Sequence, residues 1–206
     1  MSDDAVESWS EKQRRRLDDF MAPRCVDVHC HCLPAFDNGP SSIEDAIHWC
    51  EAIVQDGVAT VIATPHQLGR YDLELPHEIF VNALPIVDEL REQDVPPILT
   101  HPERHAYLQN HANWIQECVR HGVTLQVTAG SILGEFRERA NKQRWQLLRA
   151  GLVAIVASDV HDWMRRSPRM TKAIEVLSAK LGREAARMMA IERPLRVVSG
   201  GFITLR

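Results

Sequence analysis

No stretch constrains this chain more than Val26-Asp27-Val28-His29-Cys30-His31-Cys32-Leu33-Pro34-Ala35-Phe36-Asp37-Asn38-Gly39. A short apolar run leads straight into two histidines and then a turn. Side chains alternate across a strand, so His29 and His31 leave its end on one face. Two imidazoles held side by side are half of a metal site. Asp37, in the Asp37-Asn38-Gly39 turn, can fold back as an oxygen ligand. A single histidine near a strand end reads as a polar loop residue; this pair reads otherwise because the pattern recurs.

Val58-Ala59-Thr60-Val61-Ile62-Ala63 ends in Thr64-Pro65-His66, and Pro97-Ile98-Leu99-Thr100 ends in His101-Pro102-Glu103-Arg104. Leu152-Val153-Ala154-Ile155-Val156-Ala157 ends in Ser158-Asp159-Val160-His161. In barrel and open α/β folds, catalytic groups collect at the carboxyl ends of parallel strands. Helical patterns fall between the runs, as a parallel sheet requires. Ser41-Ser42-Ile43-Glu44-Asp45 reads as a capped helix start, followed by Ile47, Cys50, Ile53 and Val54 at helical spacing and by Gly57. A short strand is expected over 72–76, and a helix over 77–93 that Pro85 kinks or delays. A helix over 111–121 carries Trp114, Ile115 and Cys118 on one side, and a strand follows over 123–128. Further helices are expected over 135–150, 168–181 and 183–190, then a strand-like tail over 195–205. No repeat or linker appears, so residues 24–206 read as one domain behind a polar extension, 1–23.

The 206 residues suffice for one substantial core, and 45% hydrophobic with 25% charged residues is ordinary for a globular protein. A net charge of -4 gives no general pull toward nucleic acid or anionic membrane. No apolar run approaches the roughly 18 residues of a membrane span. The amino terminus lacks the apolar core of a secretory signal, and the expectation is a cytoplasmic protein. Five cysteines in a chain this long do not make a disulfide framework. Cys30 should point away from the histidine face into packing; Cys25, Cys50 and Cys118 read as buried small hydrophobes. Cys30 and Cys32 interleave with the histidines, but no second Cys-x-x-Cys pair completes a cysteine-held zinc site.

His29, His31, Asp37, His66, His101, Asp159 and His161 are hard or borderline ligands that suit Zn, Mn or Fe rather than calcium. Seven such groups exceed the needs of one ion and suggest two or three. Clustered divalent ions clamp phosphoryl oxygens and lower the pKa of water, giving hydroxide as nucleophile. The planar fork of Arg104, three residues past His101, suits a phosphate dianion. The combination points to phosphate ester hydrolysis. No cysteine has an arginine six positions on, as a cysteine phosphatase needs, and there is neither a Gly-x-Ser-x-Gly elbow nor a glycine-rich nucleotide fingerprint. His48, His77, His105, His111 and His121 fall on helices or their edges and read as surface or packing residues.

The words Asp27-Val28-His29-Cys30-His31-Cys32-Leu33-Pro34, Asp37-Asn38-Gly39-Pro40, Ala63-Thr64-Pro65-His66, His101-Pro102-Glu103-Arg104 and Ala157-Ser158-Asp159-Val160-His161 resemble, in order, those of the PHP (polymerase and histidinol phosphatase) family. The resemblance is nearest to the manganese-dependent bacterial protein-tyrosine phosphatases encoded with capsule and exopolysaccharide genes. It implies a distorted parallel β/α barrel and a centre of two to three Mn, Zn or Fe ions held by the seven residues above. It implies catalytic roles for Arg104, His66 and Asp37. It also implies a phosphotyrosyl protein substrate, a tyrosine autokinase that controls polysaccharide synthesis. Family members carry a further helix and strand after Thr-Pro-His, with a Gly-x-Glu whose carboxylate bridges metals. The few residues between His66 and Asp72 leave it no counterpart, with Glu74 the sole acidic candidate on a nearby strand. The implied barrel is therefore short of one β/α unit. Other readings compatible with the same ligands are an impaired regulatory relative, a phosphatase of a small ester such as histidinol phosphate, and a metal-dependent amidohydrolase.

Overall fold

The computed structural model describes residues 25–66, 83–161, 168–203 and 205. Five strands and eight α-helices fall within them: β1 (Cys25–Cys30), α1 (Ile43–Gln55), β2 (Val58–Ala63), α2 (Ala83–Glu92), β3 (Ile98–Thr100), α3 (Ala112–Arg120), β4 (Thr124–Thr128), α4 (Ala129–Leu133), α5 (Glu138–Arg149), β5 (Val153–Ala157), α6 (Met170–Leu181), α7 (Arg183–Arg187) and α8 (Arg193–Val198). Short 3-10 turns occupy Pro102–Arg104 and Leu108–Asn110, and Met188–Glu192 is a π-helical turn. The polar extension 1–23, the strand expected over 72–76, His77 and Glu74 lie outside the described residues.

Every strand pairing among the described residues is parallel. β1 pairs with β2, while β3, β4 and β5 form a second sheet in that order. One parallel bridge, Cys30 to Val160, joins the two. His31 N–H donates to Val160 O at 3.1 Å, and Asp159 N–H to His29 O at 2.9 Å. The strands thus follow one another as β2, β1, β5, β4, β3. The expected parallel α/β arrangement holds, but no closed barrel is seen among the described residues. β2 and β3 are the two ends of the series, and among the described residues only α2 lies between them in sequence.

Local sequence explains the elements that frame the strand ends. The Ser42 hydroxyl accepts from Asp45 N–H at 3.1 Å and caps α1, whose Ala46, Trp49 and Ile53 recur at helical spacing and are buried. At the far end of α1, the Asp56 carboxylate accepts from Met170 N–H at 2.5 Å, and its carbonyl accepts from the Thr171 hydroxyl. These bonds fix the start of α6 against the end of α1. Met170, Ala173, Ile174 and Leu177 on α6 are fully buried in the main core with Val156 and Leu125. Each large side chain of this kind contributes roughly 1.5–3 kcal/mol. A second apolar cluster holds Val26, Val28, Ala154, Ile155 and Ala157, with Val197, Ile203 and Leu205 against it.

Several expectations need correction. The helix expected over 77–93 is described over Ala83–Glu92, with Pro85 inside it, and the positions before Ala83 lie outside the described residues. The region expected as one helix over 135–150 begins only at Glu138, because a separate turn of helix, α4, precedes it. Thr128 caps α4 by accepting from Ser131 N–H, and Gly134 ends it at φ 83°. The tail expected as strand from Leu195 is helical through Val198. Pro194 at its start pre-sets the helical φ, and the packing of Val197 on β1 and β5 outweighs the strand preference of a β-branched residue. Cys50, expected inside, is exposed on α1; Cys25, Cys30 and Cys118 are buried as expected. Among the described residues no helix is long and apolar enough to cross a membrane.

Candidate metal centre

The seam where β1 meets β5 is also where the histidines meet. Register and chain reversal bring His29 and His31 from the end of β1, His66 from beyond β2, His101 from beyond β3, and Asp159 and His161 from beyond β5. His29 Nε2 lies 3.3 Å from His31 Nε2, and His66 Nε2 lies 3.4 Å from His161 Nε2. The His31 ring centroid is 3.7 Å from that of His161 and 4.5 Å from that of His66. Two trios offer ligand atoms within 4.8 Å of one another: His31, His66 and His161, and His29, His101 and Asp159. Six of the seven expected ligands are therefore gathered into two adjacent groups.

Asp37 stands differently. Its Oδ2 accepts from His31 Nδ1 at 2.6 Å and from His66 N–H at 3.0 Å, and its Oδ1 from Gly39 N–H at 2.9 Å. The carboxylate thus braces both a ligand ring and a ligand backbone, outside either trio. Gly39 is required here, since an added Cβ would lie 2.3 Å from His31 O. Burial pushes the Asp37 carboxyl up, but the bonds from His31, His66 and Gly39 outweigh it and hold it below the usual carboxylate range.

The partners of the Nδ1 atoms settle which way the histidines face. His29 Nδ1 lies 2.9 Å from Gln126 Oε1, His31 Nδ1 2.6 Å from Asp37, and His161 Nδ1 2.9 Å from Asp159 O. Each partner atom only accepts, so each Nδ1 carries the proton and each Nε2 is left as a bare lone pair. His29 and His31 therefore aim two lone pairs at each other. That arrangement is repulsive on its own and suits a cation between or beside them. Burial further favours neutral imidazoles, lowering His31 to about 4 and His101 to about 3. Burial raises Asp159 too, yet the His161 hydrogen bond and the surrounding imidazoles keep it well below the ordinary range. Neutral imidazole nitrogens and an ionised carboxylate are what a divalent transition ion requires.

His101 and Asp159 both adopt left-handed backbone, at φ 37° and 54°. For non-glycine residues this costs of order 1–3 kcal/mol and is characteristic of functional sites. His101 N–H donates to Gln126 O at 2.8 Å, and Asp159 N–H to His29 O, which fixes both conformations. The twist at His101 starts the Pro102–Arg104 turn and delivers Arg104 to the site. Its guanidinium pairs with the Asp159 carboxylate and lies 4.5 Å from the centre of the Phe136 ring, with 21% of its side chain exposed.

Several supporting residues escaped the sequence reading. Asp27, fully buried, accepts from His29 N–H at 3.2 Å and from Ser158 N–H at 3.0 Å, stitching β1 to the strand beyond it. Glu103, also fully buried, accepts from Ser131 Oγ at 2.5 Å and Thr128 N–H at 3.3 Å, tying the Arg104 turn to α4. Gln126 holds His29. The available signal was a polar residue inside an otherwise apolar strand or motif, since parallel strands buried on both faces have little room for one. His48 and His111 are exposed, His105 and His121 half-buried, and none joins either trio.

Comparison with known proteins adds an independent line. The family described as "Capsular polysaccharide synthesis, CpsB/CapC" matches residues 25–95 and 84–199. Tyrosine-protein phosphatase YwqE of Bacillus subtilis is 27% identical over 224 aligned residues, covering 80% of this chain and 88% of that protein. The putative tyrosine-protein phosphatase CapC of Staphylococcus aureus is 25% identical over 208 aligned residues, covering 72% and 81%. Among solved structures, a chain described under "Crystal structures of YwqE from Bacillus subtilis and CpsB from Streptococcus pneumoniae, unique metal-dependent tyrosine phosphatases" superposes with a TM-score of 0.78 at 23% identity. That match covers 88% of this chain and 97% of the other, and it establishes a shared fold.

Proposed function

This chain belongs to the CpsB/CapC family of capsular polysaccharide synthesis, and we propose that it is a metal-dependent protein-tyrosine phosphatase, a phosphoric monoester hydrolase acting on phosphotyrosine. The observation that carries the reading is Arg104, a fixed guanidinium set against the Asp159 end of two trios of inward-facing ligands. His31, His66 and His161 would hold one divalent ion, and His29, His101 and Asp159 another, with Mn as the first candidate and Zn or Fe as substitutes. Such ions supply Lewis acidity toward phosphoryl oxygens and bring the ionisation of water close to neutral pH.

The chain's own residues do the rest. Arg104 offers a planar pair of N–H donors to the phosphoryl oxygens as charge builds on them. Stacking on Phe136 keeps the guanidinium plane from swinging into solvent. His66, less buried than His31, stands at the accessible side, where a substrate oxygen can reach it. Asp37 holds the His31 ring and the His66 backbone in place through the reaction. The substrate fitting the family is a tyrosine autokinase governing polysaccharide polymerisation and export, met in the cytoplasm. The bridging carboxylate expected from the PHP resemblance has no counterpart among the described residues outside the six converged ligands and Asp37.

The test is hydrolysis by the purified protein with Mn(II) of phosphotyrosyl peptide, p-nitrophenyl phosphate and histidinol phosphate, with and without chelator. Chelator-sensitive turnover of the tyrosyl substrates is expected. Preference for histidinol phosphate would replace the proposed substrate. A metal-loaded protein that hydrolyses none of them would indicate a regulatory relative.

A further inference from the structure

Gln126 touches two of the three ligands in one trio and belongs to neither the trio nor the substrate side. It is the middle residue of β4, 0% exposed, between fully buried Leu125 and Val127. Its Oε1 accepts from His29 Nδ1 at 2.9 Å, and its own backbone carbonyl accepts from His101 N–H at 2.8 Å. The third ligand, Asp159, is tied by its N–H to His29 O. A buried amide in an apolar parallel strand costs free energy unless both its ends are satisfied. Here they are, since Gln126 Nε2 donates to Val127 O at 2.7 Å.

That second bond has a directional consequence. Rotating the amide by a half-turn would press two carbonyl oxygens together and present an N–H to a ring nitrogen. The acceptor therefore points at His29 and stays there. We infer that Gln126 is a positioning residue for the metal centre: it holds the proton of His29 on Nδ1, leaves the Nε2 lone pair for the ion, and through its carbonyl sets the left-handed turn that carries His101 into the same trio. A neutral amide does this without adding a second buried charge beside Asp159. The contrast with the other trio is chemical: there the ionised carboxylate of Asp37 performs the same service for His31. This inference rests on the metal reading proposed above.

The test uses the full chain with Gln126→Met and Gln126→Glu. Methionine keeps the volume and removes the acceptor. Glutamate, as the neutral acid, keeps the acceptor and donates an O–H to Val127 O. Nitrogen NMR of the metal-free protein reports where the His29 proton sits, and Mn(II) titration reports affinity ion by ion. In the wild type the proton is expected on Nδ1. In Gln126→Met it should move to Nε2, and one ion should bind about 10–100-fold more weakly while the other is unaffected. Gln126→Glu should restore both readings. A folded Gln126→Met variant with unchanged affinity, or with the His29 proton still on Nδ1, overturns the inference. If Gln126→Met does not fold, Gln126→Glu decides: wild-type readings sustain the inference and loss of the Nδ1 proton overturns it. A wild-type protein that takes up no Mn(II) would sink the metal reading instead, while the proton measurement still decides what Gln126 does to His29.

Discussion

Replacing Arg104 with alanine should cost this protein its turnover and leave its ions in place. The magnitude follows from the contacts. Arg104 is a cation paired with Asp159 beside the ligand trios, and a hydrogen bond to a charged group contributes about 1.5–3 kcal/mol. A donor that meets charge developing in the transition state is worth about 10²–10³ in kcat. Metal retention is argued separately. Without Arg104, the Asp159 carboxylate still lies 3.1 Å from His161 Nδ1 and its backbone N–H still donates to His29 O, so it does not drift from the trio. Removing a guanidinium next to a cation site also removes a repulsion, so bound metal should hold or rise. The assay is kcat/KM on a phosphotyrosyl peptide at saturating Mn(II), with bound Mn counted by mass spectrometry. Arg104→Lys should fall between, because it keeps the charge and loses the fork. The reasoning is refuted if metal and activity fall together, which would make Arg104 a strut for Asp159, or if activity is unaltered.

His66→Ala and His101→Ala should each lower the bound-ion count by one, since each touches a different trio; a variant that empties both sites would show a single interdependent cluster. Burial raises the Asp56 carboxyl from 3.8 to about 6, so the native state keeps a proton there that the unfolded chain has already released. Stability should therefore fall as pH rises from about 4 to 6, by up to about 2–3 kcal/mol. Asp56→Asn, which keeps an acceptor for Met170 N–H, should flatten that slope in urea midpoints taken at pH 4 and 7, and an unchanged slope would reject the assignment. Leu177→Ala, at a fully buried position of α6, should cost about 2–5 kcal/mol in chemical denaturation; a loss below 1 kcal/mol would mean that the site collapses around the missing atoms.

The strand ends were legible because two independent periodicities agree there. Apolar runs of strand length stop at His29, His66, His101 and Asp159, and the helical spacing between them forces parallel pairing. Ligand types at carboxyl ends then converge without further information. The brace on His31 was half legible: Asp37 was picked out for its carboxylate, but whether it grips an ion or a ring depends on about an ångström of loop geometry. Gln126, Asp27 and Glu103 were harder, because a polar letter in a strand does not say which face it occupies or what waits across the seam. Closure of the strand series was not legible either, since closure depends on long-range pairing rather than on any local pattern, and no closed barrel is seen among the described residues. The tail was misread at Val197, where strand preference lost to packing on β1 and β5.

The bridge between Cys30 and Val160, the one isolated β-bridge among the described residues, has a corollary for stability. Both trios draw from both sheets, so any ion seated there would tie the two sheets together across that seam. Ligand that binds only the folded state at 100 times its dissociation constant adds about 2.7 kcal/mol. Chelation should therefore lower the folded fraction and not merely idle the site, which melting curves taken with and without chelator would read.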